Sequence, residues 1–133
     1  MDLHTTGNAV PPLTGTELGG LLDDLHGFDE GIDLICDGIR NIALRRLPTD
    51  RVQLLLATIA GSPDATDVIG AFGRLVERIA DADNTPSLRT LPLDQQKQAQ
   101  RHGELAAHAL TDPDLRTPAS NACAALDTTN RKD

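Results

Sequence analysis

Aromatic residues are almost missing from this sequence: Phe28 and Phe72 are the only two, with no Trp or Tyr. The chain therefore lacks the flat faces on which single-stranded nucleic acid, flavins and sugars are usually stacked, and recognition by stacking is close to excluded. Basic residues are absent from the first 39 positions, where Asp2, Glu17, Asp23, Asp24, Asp29, Glu30, Asp33 and Asp37 stand unopposed. The remaining positions are balanced, so the formal charge of −8 resides in that one segment. Such a surface repels phosphate backbones, whose non-specific binding rests on Lys and Arg displacing counterions. Nucleic acid is thus an unlikely partner.

Cysteine is scarce too. Cys36 and Cys123 are far apart and have no second pair of ligands nearby, which is neither a disulfide framework nor a zinc pattern. Buried free thiols are the expectation. The longest strongly apolar run, from Leu54 to Ala60, is far shorter than the roughly 20 residues that cross a bilayer. The start at Met1 has neither a positive region nor an apolar one of the kind that opens a signal peptide. A cytoplasmic protein with no membrane partner is expected, and ten Arg against two Lys suggest a bacterial source.

What is present points to a folded all-α chain. Hydrophobic residues make up 39% and charged residues 24% of 133 positions, a balance typical of one globular domain. No stretch alternates apolar and polar residues with the β-branched enrichment that strands need. Residues 1–15, with Gly7, Pro11, Pro12 and Gly15, lack any apolar period and read as a flexible arm. A single helical domain is expected over 16–126, followed by a flexible tail at 127–133.

The strongest pattern lies at the start of that domain. Leu18, Leu21, Leu25, Phe28, Ile32, Ile35, Ile39 and Ile42 follow alternating steps of three and four, the spacing that holds one seam of a helix against a partner. In heptad letters Leu18, Leu25, Ile32 and Ile39 occupy a, and Leu21, Phe28, Ile35 and Ile42 occupy d. The pattern predicts one long helix over about 16–47, capped by Thr14 or Thr16, or two helices that share an axis with a kink. Glycine works against this, because Gly19, Gly20, Gly27, Gly31 and Gly38 each cost a helix roughly 1 kcal/mol relative to Ala. A break after His26 is the competing reading.

Pro48 stops the first segment, and Thr49 or Asp50 caps a short helix to about Ala60 with Val52, Leu55, Leu56 and Ile59 inward. Ser62 and Pro63 read as the cap and first turn of a third helix that buries Val68, Ile69, Phe72, Leu75, Val76 and Ile79. A fourth helix is expected over about 94–110, with Leu105, Leu110 and alanines to bury, and a fifth over about 118–126. Of 30 large aliphatic or Phe side chains from residue 18 onward, 23 precede residue 80, so the core is expected in the first three segments. The architecture is a small bundle of four to five helices.

Chemistry is sparse. Glu30, Asp33 and Asp37 lie within two helical turns, where carboxylates at such spacing can share a divalent cation. Glu30 and Asp33 form a Glu-x-x-Asp element that loosely resembles that of the all-α nucleotide pyrophosphohydrolases, and the resemblance implies magnesium-dependent hydrolysis. It covers about eight residues, and the paired Glu-x-x-Glu upstream is missing, since Gly20 stands three places after Glu17. The heptad also turns Glu30 and Asp37 outward, whereas a bundle's metal ligands face inward. His26 and Glu30 supply two ligands without a third, and His102 and His108 fall on different faces. No catalytic residue, metal or cofactor is assigned, and an enzyme is disfavoured.

Residues 50–79 can also be read as a helix-turn-helix with Gly61 in the turn, making a DNA-binding accessory or regulatory protein an alternative. Asp64 and Asp67 at the head of its second helix carry the wrong sign for phosphates and base-edge acceptors. The leading expectation is a non-catalytic protein–protein interaction module. A helix of 16–47 would outreach the two helices after it and leave the eight-residue seam for a second copy, as a homodimer. An antiparallel partner would set Arg40, Arg45 and Arg46 beside the other chain's acidic half.

Overall fold

A computed structural model of the chain describes residues 9–127, whose regular structure is all helical, with no strand among them. Contacts divide the chain at Leu47–Pro48 into two compact units. The expected tail lies outside the described residues except for Asp127, and the expected arm does so up to residue 8.

The first unit holds α1, Glu17–Leu25, and α2, Glu30–Leu44. Thr16 caps α1: its Oγ1 accepts from the Gly19 amide at 3.0 Å and donates to the Leu13 carbonyl at 2.7 Å. The segment before the helix is thereby folded onto it, so tightly that a β-carbon on Gly19 would stand 2.2 Å from the Leu13 carbonyl oxygen. The single long helix over 16–47 is not formed. His26 is extended, Gly27 takes φ +98°, and Asp29 caps a new helix by accepting from the Ile32 amide at 3.1 Å. Asp33 fastens the turn by accepting from the Gly27 amide at 2.8 Å. A left-handed glycine and a capping aspartate two residues apart stabilise the reversal more than the heptad register stabilises a continuous rod. The two helices run antiparallel, with Arg40 Nη2 2.8 Å from Asp23 Oδ1.

The second unit contains α3, Thr49–Ala60; α4, Val68–Ile79; a 3-10 turn, Pro86–Thr90; α5, Leu93–Leu110; and α6, Pro113–Ala125. α4 packs on α5, α3 packs on α6, and α3 touches α4. The α4–α5 contact is made by glycine. A β-carbon on Gly73 would lie 2.9 Å from Leu110 Cβ and 3.4 Å from the Ala107 backbone, and one on Gly103 would lie 2.7 Å from Ala80 Cβ. Two backbones approach where side chains are missing, which is how α5, poor in large apolar residues, holds its place. Leu105 consequently points away, and Gly103 and Ala107 are the buried positions of α5.

The same choice overturns the face expected for the third helix. Gly70 and Gly73 are buried, Ile69 and Phe72 are half-buried, and Val68, Leu75, Val76 and Ile79 are exposed. That helix also begins at Val68 and not at Pro63, because Asp67 caps it while Ala65 takes φ +63° in the preceding loop. α6 begins at Pro113 and not at Pro118, since Asp112 caps it by accepting from the Asp114 amide at 2.9 Å and Pro113 fits the first turn. Pro118 is carried inside the helix. α3 and α6 are cross-tied by Gln53 Nε2 donating to the Cys123 carbonyl at 3.2 Å and Cys123 Sγ donating to the Gln53 carbonyl at 3.4 Å. Both cysteines are free, Cys36 buried and Cys123 partly so.

Candidate interaction surface

Very little apolar surface is hidden in either unit. Among the described residues Leu22, Cys36 and Ala107 are the buried hydrophobic side chains, while sixteen large hydrophobic residues are exposed. In the first unit the buried pair, Leu22 and Cys36, occupies e positions of the heptad. The helices of the hairpin thus meet along one edge of the apolar stripe, and its a and d residues lie beside that contact. Leu18, Leu21, Leu25, Phe28 and Ile32 are exposed, Phe28 to 80%, and Ile35, Ile39 and Ile42 are half-buried. All eight residues of the expected seam belong to this hairpin, which distributes them over two helices and a turn.

The charges follow the same geometry. Asp24, Asp29 and Glu30 stand within four positions of Phe28 at the closed end of the hairpin, and Arg45 and Arg46 follow α2 at the open end, all exposed. Arg40, expected to pair with a second copy, is engaged by Asp23 of its own unit. Between the chain preceding α1, the Gly19–Gly20 face of α1 and the end of α2 lies an open depression of about 600 Å3. Leu13 and Leu44 line it with the Asp23–Arg40 pair, and among the described residues nothing beyond the helix's own backbone stands within 4 Å of where a Gly20 β-carbon would be.

Glu30, Asp33 and Asp37 are not drawn together into a cation site. Asp33 is occupied by the Gly27 amide, with His26 Nε2 at 3.9 Å. Among the described residues no three His, Cys, Asp or Glu side chains are grouped to hold a metal ion. No helix of these residues is long and apolar enough to cross a membrane.

The second unit is organised by an ion pair that sequence reasoning missed. Asp67 and Arg116, 49 positions apart, are both buried and join through Nη2–Oδ1 at 2.7 Å and Nε–Oδ2 at 3.0 Å. Asp67 also accepts from the Gly70 amide at 2.8 Å and the Ser62 amide at 3.2 Å. Arg116 Nη1 donates to the carbonyls of Leu110 and Asp112. One side chain therefore holds the start of α4, the end of α5 and the start of α6. The Arg116 hydrogen bonds hold the Asp67 carboxyl below the ordinary carboxylate range, with the two amides assisting and burial opposing. Asp67 in turn raises the Arg116 guanidinium above its ordinary value. Both carboxylate oxygens and four of the five guanidinium N–H groups bond within the fold, so the pair is a fastening of the fold. Asp67 also occupies the head of the helix that a helix-turn-helix would present. The only sequence signal for it was an Asp before an apolar-periodic run, which reads as a cap and says nothing of a distant arginine.

No protein-family model, curated protein or solved structure matches the chain. The functional reading rests on its residues and geometry.

Proposed function

We propose that this protein is a non-catalytic protein–protein interaction module that associates with a second copy of itself through the apolar stripe of α1 and α2. The observation that supports this is the placement of the hairpin contact: Leu22 and Cys36 close it, leaving Leu18, Leu21, Leu25 and Phe28 exposed. A hairpin of two short helices is too small to bury both apolar faces by itself. Each large side chain taken out of water contributes roughly 1.5–3 kcal/mol, so a stripe of this length favours a partner. The expected physical cause, one rod outreaching its neighbours, is replaced by a hairpin with too little to cover it.

Light scattering on the full chain tests this at tens of micromolar. The expected species has twice the monomer mass of 14.2 kDa. Leu21→Asp is expected to disperse it with the helical circular dichroism unchanged, because Leu21 is 59% exposed within its own chain. With one Leu21 lost from each of two copies, the dissociation constant should rise by about a hundredfold or more. A wild-type chain that stays monomeric sinks the proposal.

A further inference from the structure

The hairpin carries a knob at one end and a socket at the other. Phe28 is the knob: it sits in the turn between α1 and α2, is 80% exposed, and is flanked by exposed Asp24, Asp29 and Glu30. The socket is the depression at the opposite end, walled by Leu13, Gly19, Gly20, Arg40 and Leu44. Its floor is open because Gly20 has no side chain, and among the described residues nothing beyond the helix's own backbone lies within 4 Å of the missing β-carbon. Arg45 and Arg46, which follow Leu44 in the chain, are exposed and make no ion pair among the described residues.

We propose that two copies dock antiparallel about a twofold axis, each seating its Phe28 ring in the Gly20–Leu44 socket of the other. This rests on the self-association reading above and adds its register and chemistry. Three features select a second copy as the occupant. An acidic, aromatic-tipped end meets an apolar-lined end whose Asp23–Arg40 pair is neutral and where Arg45 and Arg46 outnumber Glu17, so charge and shape are complementary only when the hairpins run in opposite directions. A parallel arrangement would bring acidic turn against acidic turn. Because both elements are on every chain, the antiparallel arrangement uses each twice and closes on itself without leaving a free end to propagate. In the socket, the ring would face the planar Arg40 guanidinium, which Asp23 already holds in place at 2.8 Å, an arrangement suited to cation–π contact.

Two variants and their mixture test the seating on the full chain, by sedimentation across a concentration series. Gly20→Leu projects a side chain into the socket from a position where a β-carbon is unobstructed, and it introduces a better helix former. Phe28→Ala removes a ring that its own chain scarcely contacts. Each should retain the wild-type helical spectrum and weaken self-association at least about tenfold. Mixed in equal amounts, the two variants should associate more tightly than either alone, since the intact Phe28 of the Gly20→Leu chain meets the open socket of the Phe28→Ala chain. A wild-type chain that dimerises while either variant dimerises equally well overturns the seating and leaves self-association standing. A mixture no tighter than the two variants separately also overturns it. A monomeric wild type overturns both proposals.

Discussion

Substituting Asp67 by Ala removes four hydrogen-bond acceptor contacts at once: two to Arg116 and one each to the Gly70 and Ser62 amides. Arg116 stays behind at 2% exposure without its hydrogen-bonded counter-charge, left to the backbone carbonyls of Leu110 and Asp112 and the more distant Asp112 carboxylate. Removing one member of a buried pair costs roughly 3–5 kcal/mol, because the surviving charge is left uncompensated. Most of the loss of the α4 cap, about 1 kcal/mol alone, is contained in that figure. Against a total of about 5–15 kcal/mol for a folded domain, this is about a fifth of the stability at the least and most of it in a marginal domain. Urea unfolding followed by far-ultraviolet circular dichroism measures it. Glu104→Ala, at an exposed carboxylate of α5, is the control and should change the midpoint little. Combining Asp67→Leu with Arg116→Met should recover part of the loss, since both buried charges then leave together. The reasoning fails if Asp67→Ala costs less than about 1 kcal/mol, the range of ordinary surface changes.

Other outcomes follow from the same geometry. The Asp67 carboxyl titrates lower in the folded chain than in the unfolded one, so its contribution is complete above the unfolded value of about 3.9 and is lost as pH falls toward the lower folded value. Stability measured from pH 5 downward should therefore fall less steeply in Asp67→Asn than in the wild type. Gly103→Leu forces a side chain against Ala80, where a β-carbon alone already comes within 2.7 Å. It should cost about 1–3 kcal/mol in urea unfolding despite leucine's better helix propensity. Gly27→Ala places a β-carbon on a backbone at φ +98° and should destabilise the hairpin by about 1 kcal/mol or more, read as a lower melting temperature.

The helical class, the limits of α3 and α5, the Thr16 cap and the stop at Gly61 were legible because each is a local matter of period, cap or breaker; α2 instead ends at Leu44, ahead of Pro48, and Pro48 itself stands at the N-cap of α3, where Thr49 or Asp50 was expected. The break at 26–29 was signalled by Gly27 but outweighed by a heptad that runs through it unaltered. Periodicity reports which residues share a stripe; it does not report whether the backbone between them continues. Burial in α4 was misread for a different reason. Val68, Leu75, Val76 and Ile79 mark the greasier side, yet the contact with α5 follows Gly70 and Gly73, where backbones can come closest. The Asp67–Arg116 pair was invisible because its members are 49 residues apart and nothing local ties one to the other. The spacing of the eight apolar positions was legible, but their division between two helices and a turn was not. The socket was hidden because it is built largely from missing side chains.

The distance along the chain between Asp67 and Arg116 also bears on how the protein is made. During synthesis the carboxylate leaves the ribosome well before the guanidinium that completes it, so the head of α4 and the tail of α5 wait, unfastened, for the last helix. A nascent chain halted before residue 116 would have most of its helices and none of their common clasp. The second unit should therefore gain resistance to proteolysis abruptly and late, when its final segment arrives.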